Sequence, residues 1–320
     1  MRGKLMPDMD TVAVVMEGPG RLSLQRLALQ SPTADDVVVE IEYSGISTGT
    51  ERLLWTGRMP SFPGMGYPLV PGYESVGRVI DTGANARSRI GETVFVPGAS
   101  CFKDARGLFG GAARHLIVPA ARAITIQERI RDQGVLIALA ATAQHAISAG
   151  GTPPRLIVGH GVLGRLLARL TIAAGHCAPV VWEKNPARRG GATGYDVVDP
   201  ADDDKRDYES IFDVSGDSAI LDTLISRLGR NGEIVLAGFY EKPLSFAFAP
   251  SFMREARIRV AAEWKPYELA ATLSAIQSGR LSLDGLITHH MDAEKAPDAY
   301  PIAFGDSACL KMVLDWKGCA

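Results

Sequence analysis

Three glycines spaced as Gly159-x-Gly161-x-x-Gly164 sit between an apolar run, 156–158, and a helical stripe of Leu163, Leu166, Leu167, Leu170 and Ala174. In that setting the spacing points to dinucleotide chemistry. Gly159 permits a sharp turn, Gly161 lets the backbone approach a pyrophosphate, and Gly164 lets the helix pack close to the strand. The amides of Val162 and Leu163 then open a helix whose N-terminus favours negative charge. A second apolar run, 179–182, ends at Glu183 about 20 residues past the loop, where a carboxylate accepts hydrogen bonds from an adenosine ribose and repels a 2′-phosphate. Lys184, Arg188 and Arg189 follow, either to clamp such a phosphate or to form a solvated turn. The position of the acid favours NAD over NADP.

The elements that must hold this loop alternate strand and helix. Apolar runs continue at 196–198, 210–214, 233–237 and 258–262, with a helix at 267–277, which predicts an α/β, doubly wound parallel sheet. Ser215, Gly238 and Phe239 follow the fourth and fifth strands, at the edge where such a sheet binds its ligand, and are candidate partners for the nicotinamide end. Upstream, residues 11–126 alternate short apolar runs (12–15, 37–41, 75–80, 93–96 and 113–118) with Gly and Pro clusters, which predicts a β-rich module. A helix over 135–149 ends at Gly150-Gly151 and Pro153-Pro154, marking a boundary. The expected division is a loose leader 1–8, a β-rich domain with linking helix 9–150, a dinucleotide domain 151–280, and a tail 281–320 whose strand 309–314 returns to the first domain.

The 320 residues exceed the length at which one core stops growing, which fits two domains. A hydrophobic share of 46% and a net charge of −2 from 34 basic and 36 acidic residues describe an ordinary globular chain with no basic field for nucleic acid. Apolar stretches stay below the roughly 18 residues that span a bilayer, so neither an integral membrane segment nor a secretory signal is expected. Cys101, Cys177, Cys309 and Cys319 are too scattered for a disulfide framework and suit a reducing, cytoplasmic setting.

The order of these parts, and several short motifs, resemble the medium-chain dehydrogenase/reductase superfamily. Val70-Pro71-Gly72-Tyr73-Glu74-Ser75-Val76-Gly77-Arg78-Val79 resembles its PGHExxGxV segment, Gly91-Glu92-Thr93-Val94 its GDxV turn, and Leu286-Ile287-Thr288-His289 with Ala299-Tyr300 its closing signature. The resemblance implies a GroES-like β-rich catalytic domain followed by a Rossmann domain, and a homodimer through the latter. Within the superfamily, segments 45–51, 59–74, 139–146 and 309–316 are most similar to dehydrogenases that oxidise the hydroxyethyl group of a bacteriochlorophyllide. This resemblance, and not composition or spacing, implies a tetrapyrrole substrate and a step in bacteriochlorophyll biosynthesis.

The departures from the family bear on mechanism. Zinc-dependent members place a cysteine and a histidine where this chain has Ser47 and Tyr73, and a residue is inserted after Ser47. Hydroxyls and a carboxylate match poorly the N and S donors that zinc prefers, so no metal is expected. Removal of an alcohol proton then falls to Thr50, which matches the family's relay hydroxyl, or to Tyr73, with Ser47 nearby and Glu74 orienting the phenol. Thr142 on the linking helix matches a family threonine near the nicotinamide. Trp55, Phe62, Tyr67 and Trp264 are candidate walls for a planar macrocycle. Two other readings use the same loop: a zinc-independent quinone or enone reductase, and a non-catalytic NAD-binding module.

Overall fold

The computed structural model describes residues 9–61 and 63–319, so the leader 1–8 and Phe62 lie outside the described residues. The chain divides into a unit formed by Met1–Ala138 and Ile287–Ala320 and a second formed by Leu139–Leu286. The linking helix from Leu139 onward groups with the second unit and the tail from Ile287 with the first. The first border lies 12 residues before the one expected from Gly and Pro and the second 6 residues after the expected 280/281, because contacts rather than breakers decide them.

In the first unit, β1 (Asp10–Gly18) and β2 (Arg21–Ala28) form a hairpin. They are followed by β3 (Asp36–Ile46), α1 (Thr50–Thr56), β4 (Leu69–Val70), β5 (Ser75–Thr82), β6 (Thr93–Val96), β7 (Arg106–Gly107), β8 (His115–Pro119) and β9 (Ile124–Thr125). The apolar runs at 12–15, 37–41, 75–80 and 93–96 all fall in strands. Helix α1 escaped the sequence reading. It has seven residues, too few to display a helical period, and stops at Gly57 in the left-handed region.

Helix α2 (Ile137–Ser148) crosses the border and lies in the second unit from Leu139 onward. Then come β10 (Leu156–Val158), α3 (Val162–Ala173), β11 (Val180–Trp182), β12 (Asp196–Val198), β13 (Tyr208–Asp213), α4 (Leu221–Arg227), β14 (Leu228–Leu236), α5 (Phe248–Arg254), β15 (Arg257–Val260) and α6 (Pro266–Gln277). Its six strands run parallel in the order β12-β11-β10-β13-β14-β15, the expected doubly wound sheet. Leu156, Ile157 and Val158 at its centre are at most 4% exposed, each contributing about 1.5–3 kcal/mol of apolar burial.

The tail carries β16 (His289–Asp292), α7 (Ala296–Gly305) and β17 (Met312–Asp315). In the first unit β17 pairs antiparallel with the end of β3, Met312 facing Ile46. In the seven-stranded sheet β16-β17-β3-β5-β6-β9, with β8 also on β3, β3 becomes a central strand. That pairing brings residue 311 within reach of residues 46 and 74, which no local sequence pattern announces.

Candidate active site

In the first unit the chain leaves β3 at Ile46, places Ser47 in the connection, and starts α1 at Thr50. The segment before β5 brings Tyr73 and Glu74 to the same place. Ser47 Oγ and Tyr73 Oη are 2.6 Å apart, and Thr50 also hydrogen-bonds the phenol. The ring of Phe109 meets Tyr73 edge-on with centroids 5.2 Å apart. Ser47, Thr50 and Tyr73, read from sequence as competing proton partners, thus stand together as one cluster. Burial and the charge of Glu74 push the phenol above its ordinary range, against the hydrogen bonds from Ser47 and Thr50. Tyr73 therefore stands as a hydroxyl and not a phenolate near neutral pH.

Glu74 does not orient that phenol. Its Oε2 lies 2.6 Å from Lys311 Nζ, and the same ammonium donates to Ile46 O at 3.2 Å. Burial raises the Glu74 carboxyl while the Lys311 ammonium opposes that shift. Both side chains are fully buried, 0% and 2% exposed, and breaking such a pair on one side leaves an uncompensated charge. Lys311 gave no sequence signal: a lone lysine before an apolar run reads as a surface residue until β17 is placed beside β3.

Glu51 is the second buried carboxyl. Its Oε1 accepts from the Ser47 amide at 3.0 Å, its own amide donates to Ser47 O at 3.1 Å, and Tyr300 of α7 hydrogen-bonds its carboxyl. Burial, the largest influence, pushes Glu51 up to about 7.

The second unit builds a different kind of site. Gly159 has φ +105° and donates its amide to Trp182 O at 2.9 Å, turning the chain sharply at the end of β10. A Cβ on Gly164 would lie 1.9 Å from Gly159 O, so helix α3 can reach the strand only with glycine there. A Cβ on Gly161 would meet nothing within 4 Å, which leaves open space in front of the helix. Gly161 is the N-cap and supplies no side-chain hydrogen bond, so the first-turn amides, Val162 and Leu163 among them, are left for an external acceptor. This bare, electropositive end fits a dinucleotide pyrophosphate.

Glu183 follows β11 and is half-buried, with Oε2 accepting from the His160 amide at 3.2 Å and Oε1 from the Asn185 amide at 2.8 Å. Of the basic run behind it, Lys184 is exposed, while Arg189 is engaged with Asp199 and the Glu183 and Lys184 carbonyls. Arg188 is tied in through its carbonyl, which accepts from Arg165 at 3.0 Å and faces His160 Nδ1 at 2.7 Å. Burial lowers His160 to about 4, so it is neutral, protonated on Nδ1 toward Arg188 O and accepting from the Tyr195 hydroxyl at Nε2. Its part is structural. At the ends of β13 and β14, Asp213 Oδ1 accepts from the Ser215 amide and Asp213 O from the Gly238 amide, fixing both candidates at the switch point of the sheet. Phe239 is 49% exposed beside them, and Thr142 is half-buried on α2.

Of the candidate macrocycle walls, Trp55 and Tyr67 are half-buried against the core of the first unit, and the Tyr67 hydroxyl donates to Leu54 O. Trp264, half-buried, belongs to the second unit. Leu54 and Met59 of the same stretch are 0% and 6% exposed, committed to the core. The donor set at Ser47 and Tyr73 does not suit zinc: two neutral hydroxyls stand beside a carboxylate already paired with an ammonium. Among the described residues no group of three or more His, Cys, Asp or Glu is placed to hold a metal ion.

Residues 33–128 match the alcohol dehydrogenase GroES-like domain. Two relatives called 2-desacetyl-2-hydroxyethyl bacteriochlorophyllide A dehydrogenase cover nearly everything. That of Rhodobacter capsulatus is 56% identical over 97% of this chain and 99% of its own. That of Cereibacter sphaeroides is 55% identical over 98% of this chain and 100% of its own. Among solved structures, an alcohol dehydrogenase RspB of Escherichia coli CFT073, complexed with NADH, superposes with a TM-score of 0.82 at 22% identity, covering 96% of this chain and 99% of that one.

Proposed function

Because the chain belongs to the medium-chain dehydrogenase/reductase superfamily, and within it to the bacteriochlorophyllide dehydrogenases, we propose that it oxidises the 3-(1-hydroxyethyl) group of a bacteriochlorophyllide to 3-acetyl. The observation that carries this is identity above one half along essentially the whole length of two such dehydrogenases. The reaction removes a hydride from the carbinol carbon and a proton from its hydroxyl. When bound, the nicotinamide cofactor accepts the hydride. Gly159, Gly161, Val162, Leu163 and Gly164 hold its pyrophosphate, Glu183 its adenosine ribose, and Ser215, Gly238, Phe239 and Thr142 its nicotinamide end. NAD is the cofactor in this reading, supported by the carboxylate of Glu183 and by the commitment of Arg189 to Asp199.

Tyr73 takes the alcohol proton while its own proton passes to Ser47 or Thr50 and on to solvent, a relay that needs no standing phenolate. The 2.6 Å Ser47–Tyr73 contact supports this assignment. Trp55 and Tyr67 of the first unit supply aromatic surface for the macrocycle in this reading, and Trp264 of the second unit is a separate candidate. The same reading carries a cytoplasmic location, in keeping with four cysteines that form no disulfide and with the lack, among the described residues, of any helix long and apolar enough to cross a membrane. It also carries a homodimer through the second unit, supported by edge strand β15 and by Phe248, Phe252, Met253 and Val260, each more than 60% exposed.

The deciding experiment incubates the protein with NAD and a hydroxyethyl bacteriochlorophyllide and follows NADH together with the pigment spectrum. Stoichiometric NADH and acetyl pigment are expected. Turnover only of NADPH with enones would replace the reading with a reductase, and tight NAD binding without turnover would leave a binding module.

A further inference from the structure

Within the buried cluster of the first unit, two carboxyls share one neighbouring ammonium. Lys311 is committed to Glu74 at 2.6 Å and to Ile46 O. Glu51 is 0% exposed, its Oε1 is used by the Ser47 amide, and its Oε2 is buried with no well-formed hydrogen bond. An ionised Glu51 would thus be a second negative charge in a water-excluded space whose positive charge is already spent, a state that buried groups avoid by keeping their proton. We propose that Glu51 is held as a neutral carboxylic acid and is a positioning residue: it fixes the backbone of Ser47, so that Ser47 Oγ meets Tyr73, without adding charge beside the proton-transfer site.

This inference rests on the assignment of Tyr73 and Ser47 to proton transfer. The groups that face Glu51 come from four parts of the unit: the Ser47 amide after β3, Glu74 before β5, Tyr300 on α7 and Lys311 before β17. Burial opposes ionisation and outweighs the rest, the Ser47 amide, Tyr300 and Lys311 favour it, and Glu74 opposes it. Ionisation of Glu51 would raise the Tyr73 phenol further, since its charge acts on Tyr73 in that direction. The phenol then passes its own proton to Ser47 or Thr50 less readily, so the relay slows as pH rises through the Glu51 transition near 7.

Infrared difference spectra of the full-length protein, recorded across a pH titration, test the protonation state directly. A protonated-carboxyl band that titrates away near neutral pH and is missing in Glu51→Gln is expected. Its absence from the wild-type protein below neutrality would overturn the proposal. Glu51→Gln keeps the acceptor for the Ser47 amide, so its oxidation rate should match wild type below the transition and lack the wild-type fall above it. A wild-type rate that instead rises with pH, with the rise abolished in Glu51→Gln, would overturn it in favour of an ionised proton acceptor. Should that variant fail to fold, Tyr300→Phe removes a hydrogen bond to the carboxyl and should move the band's midpoint upward; an unmoved or lowered midpoint overturns the proposal. The infrared readout needs no substrate, so an enzyme inactive on hydroxyethyl pigments would refute the proposed reaction and leave the Glu51 result standing.

Discussion

The hydroxyl pocket of the first unit is made by side chains that fill buried space, whereas the glycine loop of the second is made by side chains that are missing. In the pocket, Glu51, Glu74, Lys311 and Tyr300 crowd behind Ser47 and Tyr73, each no more than 4% exposed apart from the half-buried Tyr73. In the loop, an open N-cap at Gly161 and a close contact at Gly164 leave backbone amides as the chemistry. The difference teaches where substitutions should tell: deleting atoms should harm the pocket, and adding them should harm the loop.

The largest expected effect is in the pocket. Lys311→Met strands the Glu74 carboxylate and should destabilise the first unit by ~3–5 kcal/mol, read as a lower urea midpoint. A loss no greater than that of a surface lysine would break the comparison. The Glu51 carboxyl bears on the same region with the opposite sign. Its folded pKa, raised from 4.5 to about 7, means the native state holds a proton that the unfolded chain releases. Stability therefore falls as pH rises through that window, and Glu51→Gln should be the more stable protein above it, by up to ~3 kcal/mol, with no advantage at acid pH.

Tyr73→Phe removes the central hydroxyl without emptying space, and kcat should fall about 100-fold or more while the melting temperature holds. Equal loss of stability would make Tyr73 a packing residue. In the loop the two glycines should separate. Gly164→Ala drives a methyl into Gly159 O and should reduce stability by ~1–3 kcal/mol. Gly161→Ala should leave stability within about 0.5 kcal/mol while raising the NAD dissociation constant about 10-fold, measured by calorimetry. Matching effects at both positions would refute the view that Gly161 is kept for a ligand. Smaller again, Glu183→Ser should shrink the preference for NAD over NADP by roughly 10-fold, at the cost of charged hydrogen bonds to the ribose. An unchanged ratio would remove the ribose role.

How much of this was legible follows the range of the interactions. The loop was read nearly whole because its determinants are consecutive: strand, turn and helix are set within residues 156–174, and the observed β10, Gly159 turn and α3 follow that span. Glu183 follows β11 because strand and helix lengths fix its distance from the loop. The pocket was read in fragments. Ser47, Thr50 and Tyr73 were separate candidates, Glu74 was assigned to the wrong partner, and Lys311 and Glu51 went without a role. Their relation depends on β17 pairing with β3 across some 265 residues, a contact that leaves no period or spacing in the chain.

The sequence by itself determined the architecture and the dinucleotide loop, since apolar periodicity and glycine placement act locally. Tertiary structure decided how the protons and charges of the pocket are shared. Which carboxyl receives the ammonium, and which must keep its proton, depends on burial and on distances of a few ångströms between distant segments, and only the folded chain sets those.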